Sequence, residues 1–393
     1  MYGGGIHTAR SKPKTEPTRG ARMAKLEKSI NPKPTNGTQD FNARKPKAVA
    51  SSDWNGFTFY VMTDTPCWRK ARYNVLLELL TKLANDFLSP EQYTEVHSKR
   101  LRDQMAGIRD YTKNSPPYNV TFGVHLGNTQ KVSNTLCMEK HYQDTSYLMA
   151  KAPRPTFVIP GNSDWFDCPY REESFDLFMK YYGPNFITEK WHSEHFVPLK
   201  IERSEEHPEL FAFYVEGVLF IGVHLLHTQP EEESRTSWDS RMKMNMEWVA
   251  HCVETKFEKY EMRGTVILGH ASRTARTRPF FHMASNYFVN ITSRQDLPVM
   301  YMHGQGGSWQ VDHKFSEEVG WDNYVDVQIH QGGLADPMII DVAPQENGKV
   351  KALMEENDMQ TTVAGGLFRF DRQGGVYQDP NDILVHANDK DGN

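Results

Sequence analysis

The chain is short of cysteine. Its 393 residues hold four, Cys67, Cys137, Cys168 and Cys252, too few and too scattered for a disulfide-built scaffold or a zinc ribbon. Free thiols in a reducing compartment are the plain expectation. One exception stays open: Cys137 and Cys168 follow neighbouring strands and could pair. Long apolar runs are missing too. No stretch of 18 or more apolar residues occurs, so no membrane-spanning helix is expected. The opening "MYGGGIHTARSKPKTEPTRG" lacks an apolar h-region and is not an intact secretory signal. It is basic and acid-poor, as transit peptides are, but its Pro and Gly content works against an amphipathic helix. A cytoplasmic or organellar location is the expectation. A large net charge is absent as well: the total is −5, which supplies no global attraction to nucleic acid.

What is present is a core-forming composition, 38% hydrophobic and 12% aromatic, with charge unevenly placed. Residues 1–50 hold 11 Lys/Arg and 3 Asp/Glu, a balance of +8, so the rest of the chain carries −13. This segment reads as a basic, extended arm without a core of its own. It suits a negatively charged surface: the chain's own body, a protein partner in an assembly, or RNA. Residues 51–345 read as the globular body. Residues 346–393, polar and rich in Gly, Asp and Asn, read as a weakly structured extension.

Within the body, "FTFYVMTD" reads as a buried strand ending at Asp64. "ARYNVLLELLTKLANDF" and most of 90–112 have helical apolar spacing. "YNVTFGVHLGN" is a strand ending at Gly127-Asn128, a helix follows near 134–150, and "PTFVIPGN" is the next strand. This βαβ succession predicts an α/β fold. Further on, "LFAFYVEGVLFIGVHLLH" gives two strands joined at Glu216-Gly217, and 236–259 a long helix. "GTVILGH" and "LPVMYMHG" are strands ending at His270 and His303. "YVDVQIHQGG" and "DPMIIDVAP" read as antiparallel strands closing a sheet. The order fits a sandwich of two facing mixed sheets with helices outside.

Collected at the strand ends are Asp64, Asn128, Asn162, Asp164, His270 and His303. Carboxylate, amide and imidazole groups at one sheet edge are what a two-metal phosphoesterase needs to clamp a phosphate and activate water. Each also has an ordinary reading. Asp64 could cap a helix, Asn128 and Asn162 could occupy left-handed loop positions, and His270 and His303 could be satisfied core histidines. His125, His224 and His227 read as packing residues within strands.

The motifs sharpen this. "TDTPCW", "VHLGNTQ", "PGNSDWFDCP" and "MHGQGGSW" resemble, in order and strand-end placement, the calcineurin-like metallophosphoesterases. The resemblance is strongest to a divergent branch with a P-G-D-N-D-W-x-D-C motif, and it covers about residues 55–345. It implies a four-layer sandwich and an ancestral metal site of Asp64, Asn128, Asn162, His270 and His303, with Ser163, Asp164, Trp165 and Gln305 lining the pocket. Departures are specific. Pro66 stands where the main family has His, as in the branch. Asn128 replaces the bridging Asp, Ser163 the proton-donor His, and Gln305 and Gly307 the last Asp and His of the branch. His303 is either a surviving ligand or the residue before the motif. A neutral amide between two cations compensates their repulsion less than a carboxylate. The resemblance therefore implies no full binuclear centre, but either no metal or one weakly held Mn, Fe, Zn or Mg ion. The leading expectation is a pseudoenzyme serving as a binding or assembly module. The alternatives are a phosphoesterase with a reduced metal site, or a complex subunit anchored by its arm.

Overall fold

Aromatic and β-branched runs make the central strands. β1 (Phe57–Met62) and β2 (Val120–His125) lie parallel, with β3 (Thr156–Val158) parallel to β2 on its far side. These coordinates are a computed structural model. It describes residues 56–64, 120–130, 137–152, 154–190, 199–227, 235–257, 261–291, 296–305, 309–330, 337–346, 349–356 and 360–372, all within the unit Lys47–Asn393. The arm at 1–50, the helices expected over 71–87 and 90–112, and residues 373–393 lie outside the described residues.

On the other side of β1, β11 (Met338–Val342) runs antiparallel, followed by β15 (Phe368–Asp371) and β14 (Gln360–Val363). Among the described residues the sheet has six strands in the order β14-β15-β11-β1-β2-β3. Two expectations are corrected here. The body does not end at 345, because part of the expected polar extension supplies two strands. Their apolar residues, Val363, Phe368 and Phe370, are buried, and alternation rather than overall polarity decides a strand. Nor does β11 pair with β10 (Tyr324–Gln328). The two belong to different sheets, and their similar apolar patterns carried no information about which sheet each joins.

The second sheet begins with β4 (Glu202–Arg203) and the hairpin β5 (Phe211–Val215) and β6 (Val218–Gly222). Its turn residues Glu216 and Gly217 both have positive φ, 44° and 87°, as a two-residue hairpin following strand twist requires. Then come β7 (Gly264–Gly269), β8 (Val299–His303), β10, and β9 (Gln310–Asp312) at the edge, while β12 (Gln345–Glu346) and β13 (Lys349–Val350) pair with each other as a separate two-stranded ribbon. β6, β7, β8 and β10 are mutually parallel. His224 and His227, expected within a strand, follow β6 instead.

Crossover helices cover the sheets: α1 (Glu139–Met149) and α2 (Arg171–Tyr182) by the first, with a short α3 (Pro184–Lys190) after them. α4 (Arg235–Phe257), α5 (Arg278–Asn286) and α6 (Lys314–Val319) go with the second. The sheets meet through an aromatic layer. Phe122 sits 4.9 Å from Phe213 and 5.0 Å from Phe220, and Phe59 5.2 Å from Phe220. Each such buried ring contributes roughly 1.5–3 kcal/mol. Alternation along β8 assigns the faces: Met300 and Met302 join this inner core, Val299 and Tyr301 the outer core under the helices. The fold is the α/β sandwich of two mixed sheets flanked by helices that the pattern predicts. Cys137 and Cys168 are joined in a disulfide, so the free-thiol expectation fails for this pair, while Cys252 is a buried free thiol.

Candidate functional site

The ends of β1 and β2 are stapled together. Leu126 N–H donates to Met62 O (2.8 Å) and Asp64 N–H to Gly127 O (3.0 Å). Asp64 (φ 51°), Gly127 (φ 88°) and Asn128 (φ 62°) are all left-handed, a conformation Asp and Asn tolerate better than most residues. Glycine at 127 also answers a close approach. A Cβ there would stand 2.8 Å from the Gly161 backbone and 2.9 Å from His270 Nδ1. The inner end of β8 touches the same place, since a Cβ at Gly304 would collide with the Thr63 side chain. The strand ends of both sheets thus converge around Thr63, Gly127 and Gly161.

Asn128 links the pieces. Its Nδ2 donates to Asp64 Oδ1 (2.7 Å), its Oδ1 accepts Ser163 N–H (2.9 Å), and its own N–H goes to Asp164 Oδ2 (2.8 Å). The amide orientation is dictated by its partners, because a backbone N–H only donates and a carboxylate only accepts. Asp164 is fully buried and gathers further donors: Thr129 N–H and Oγ1 (each 2.6 Å), Gly161 N–H (2.7 Å) and Gln130 N–H (3.2 Å). Burial raises its carboxyl above the ordinary range, against the pull of these donors and of His270. Ser163 Oγ donates to Gln130 O (2.9 Å), and Tyr142 OH to Asp164 O (2.5 Å). Cys168 follows this turn, so the disulfide to Cys137 ties it to the start of α1.

The turn Asn162–Phe166 also reaches the second sheet. Asn162 Oδ1 accepts His227 N–H (2.9 Å). Trp165 Nε1–H donates to His224 Nε2 (3.2 Å), whose Nδ1 faces Glu209 Oε1 (3.2 Å). Burial holds His224 below its usual range. His270, on the inner face after β7, is fully buried, with Nδ1 2.7 Å from Leu126 O. A carbonyl only accepts, so Nδ1 carries the proton and Nε2 presents a lone pair. That atom makes no hydrogen bond of good geometry among the described residues, although the Gln305 side chain lies near enough to the ring to favour its protonated form. Burial depresses the His270 pKa, which favours this neutral form. Gln305 donates its N–H to His270 O (3.0 Å).

Asp64, Asn128, Ser163 and Asp164 therefore form one network, with Asn162, His270 and Gln305 around it. Trp165 turns toward His224. His303 does not join. It follows Tyr301 on the outer face, its ring stacked on Tyr301 and Nε2 3.0 Å from Asp326 Oδ1. Sequence reading missed Thr129, Gln130, Gly161 and Tyr142. Gly161 and Thr129 neighbour motif residues, but nothing in the pattern aims backbone N–H groups at Asp164.

The donors present do not fit a two-ion centre. The bridging position is an amide already bonded on both ends, and Asn162 Oδ1 holds a backbone N–H. Among the described residues no three His, Cys, Asp or Glu side chains come together as a metal-binding group. Asp64 and His270 are the donors a single ion would use.

No family model matches the chain, and no curated protein matches it. Among solved structures, the sulfate thiohydrolase SoxB of Thermus thermophilus, in complex with glycerol, is similar at 10% identity and a TM-score of 0.41. The match covers 86% of this chain and 60% of that one, so this chain spans under two thirds of SoxB's length. A second crystal structure is similar at 11% identity and a TM-score of 0.28, over 73% of this chain and 95% of its own.

Proposed function

We propose that this chain is a metallophosphoesterase-like protein in which an amide cross-link stands where a two-ion centre would be, and that it works as a binding or assembly module. The observation that carries this reading is the double engagement of Asn128, which donates to Asp64 and accepts from Ser163 N–H. A carboxylate at 128 could not donate to Asp64 and would add a second negative charge. With Asn in place, the strand ends are tied by hydrogen bonds that need no cation. Ser163 supplies no imidazole for proton transfer to a leaving group. The basic arm at 1–50 is the part of the chain whose composition suits a protein partner or RNA.

The test is metal analysis of purified protein together with turnover of p-nitrophenyl phosphate in Mn²⁺. Substoichiometric metal and no turnover are expected. Robust turnover that Asp64→Ala abolishes would overturn the reading. A second reading rests on His270, whose Nε2 makes no hydrogen bond of good geometry among the described residues: a hydrolase using one ion held by Asp64 and His270. One equivalent of bound metal, lost in His270→Ala, would favour it.

A further inference from the structure

The outer face of the second sheet changes character toward its edge. On β8, Val299 and Tyr301 are packed in the helix-covered core. On β10 and β9 the same face carries Asp326, in register with Tyr301, and Asp312, directly opposite Asp326 in the antiparallel pair. Residues in register on neighbouring strands share a face, and like charges placed this way repel each other. Both carboxylates border a cleft of about 160 Å³, together with His303, Gln310 and, from the loop after β7, Ser272 and Arg273. No apolar side chain lines it.

The protein does not answer this pair of charges. Among the described residues no lysine or arginine forms an ion pair with either carboxylate. Asp326 is only 8% exposed, and its Oδ1 is buried without a hydrogen-bond partner. His303 Nε2 comes within 3.0 Å of that oxygen, but without hydrogen-bond geometry, and His303 Nδ1 is itself buried and unpartnered. Asp312 Oδ1 accepts the Lys314 backbone N–H at 2.7 Å, a neutral donor. Arg273, the guanidinium of the cleft, is engaged elsewhere, 3.6 Å from Glu318 and over the ring of Phe315 at 4.8 Å. A carboxylate taken out of water is stabilised by donors or by a cation. What this cleft lacks is a positive charge that also donates hydrogen bonds.

We propose that the cleft binds a small hydroxylated monoamine, its ammonium group donating to Asp326 and Asp312. A metal ion fits the walls less well, since among the described residues no three His, Cys, Asp or Glu side chains come together as a metal-binding group. An ammonium needs no such set. Its three protons can be shared between two carboxylates and a neutral acceptor such as Ser272 Oγ or Gln310 Oε1. The volume corresponds to roughly five waters at ~30 Å³ each, which sets the ligand near ethanolamine or serinol in size. Arg273 beside the carboxylates disfavours a second ammonium, and the polar lining disfavours an alkyl tail. The proposal is independent of the metallophosphoesterase reading, since none of these residues belongs to the Asp64–Asn128–Asp164 network.

Saturation-transfer NMR on the full chain tests it, at about pH 7, where aliphatic amines are protonated. The probes are two matched pairs, serinol with glycerol and ethanolamine with ethylene glycol, each pair differing by an ammonium in place of a hydroxyl. Binding of at least one amine is expected, at least tenfold tighter than its neutral match, a ~1.4 kcal/mol difference. Asp326→Asn and Asp312→Asn should each weaken the amine about tenfold. Both replacements keep side-chain size and remove one of two opposed charges, so the melting temperature should hold or rise, which separates a lost charge from a lost fold. Asp312, half-buried and on the edge strand, is the more tolerant of the two and decides the matter if Asp326→Asn fails to fold. No binding of either amine, equal binding of the neutral matches, or amine binding unchanged in Asp312→Asn would overturn the proposal.

Discussion

Two polar clusters sit at the strand ends of this protein, and they differ in how their hydrogen bonds are closed. The cluster at the meeting of the two sheets is largely self-satisfied: Asp164 collects donors from four residues and Asn128 is bonded through amide and backbone. The cluster on the outer face of the second sheet leaves both His303 Nδ1 and Asp326 Oδ1 without hydrogen-bond partners among the described residues. A closed polar network rigidifies the fold, because every group removed strands another in a low-dielectric interior. An incomplete one is where a ligand can supply what the protein does not. In the inner cluster, His270 Nε2 and Gln130 Oε1 share this incompleteness among the described residues.

The sharpest way to break the comparison is to remove the hub. Asp164→Ala leaves the N–H groups of Asn128, Thr129, Gln130 and Gly161 without their acceptor. A loss of about 3–5 kcal/mol in urea unfolding is expected. A loss under about 1 kcal/mol would mean that water or a rearranged loop serves these donors equally well, and the inner cluster is no lock.

Next in size is the disulfide that closes the turn carrying this hub. Cys137 and Cys168 are 31 residues apart, and a loop of that length is stabilised by about 3–4 kcal/mol through the unfolded chain. A double Cys→Ser variant should therefore unfold at distinctly lower urea. An unchanged midpoint under non-reducing conditions would show that the bond contributes nothing.

Asn128→Asp sharpens the comparison by charge. It deletes the donor to Asp64 and sets two carboxylates together, for an expected loss of about 1–3 kcal/mol at neutral pH. The loss should shrink as pH falls through the carboxylate range and one of the pair protonates. Full recovery of stability in millimolar Mn²⁺ would instead show that the strand ends still accept a cation there, and the cross-link reading would fail.

The smallest effect is on pH. Burial lowers the pKa of both His224 and His270, so below about pH 6.5, the ordinary histidine value, the unfolded chain binds protons that the folded one does not. Stability from these groups is present above that pH and declines as pH falls through the window below it, toward their lowered folded values. Asp164, raised by burial, works the opposite way above its ordinary range, so the histidine part is read from variants. His224→Gln should show a shallower decline between pH 7 and 5 than the parent protein. An identical slope would mean that His224 takes up its proton without cost.

Much of the fold could be read in the chain. The runs at Phe57–Met62, Val120–His125, Gly264–Gly269 and Val299–His303 are apolar enough to demand burial on both faces, which marks central parallel strands. Glu216-Gly217 announced its hairpin. The edges were harder. β14 and β15 lie in a polar segment, and their burial is visible only once β11 stands beside them. For the candidate site, the motifs pick out Asp64, Asn128, Asn162 and His270; the first three follow β1, β2 and β3 of the first sheet, and His270 follows β7 of the second. His303 escaped that logic. One residue of register sends a strand side chain to the opposite face, and His303 keeps the outward phase of Val299 and Tyr301.

Residue types and their periodicity by themselves determined that this protein has an α/β body with two sets of strands and polar residues at their ends; the departures at Asn128, Ser163, Gln305 and Gly307 have meaning only against the family motif that the sequence resembles. Such properties are local, since alternation and substitution are both written along one stretch of chain. Only the tertiary structure decided which sheet β10 and β11 join, that Cys137 meets Cys168, that Asp164 is the acceptor for the loop after β2, and that His303 turns away toward Asp326. Each of these depends on groups far apart in sequence. A hydrogen bond or a shared face between them exists only after the aromatic layer around Phe59, Phe122 and Phe220 has brought the two sheets together.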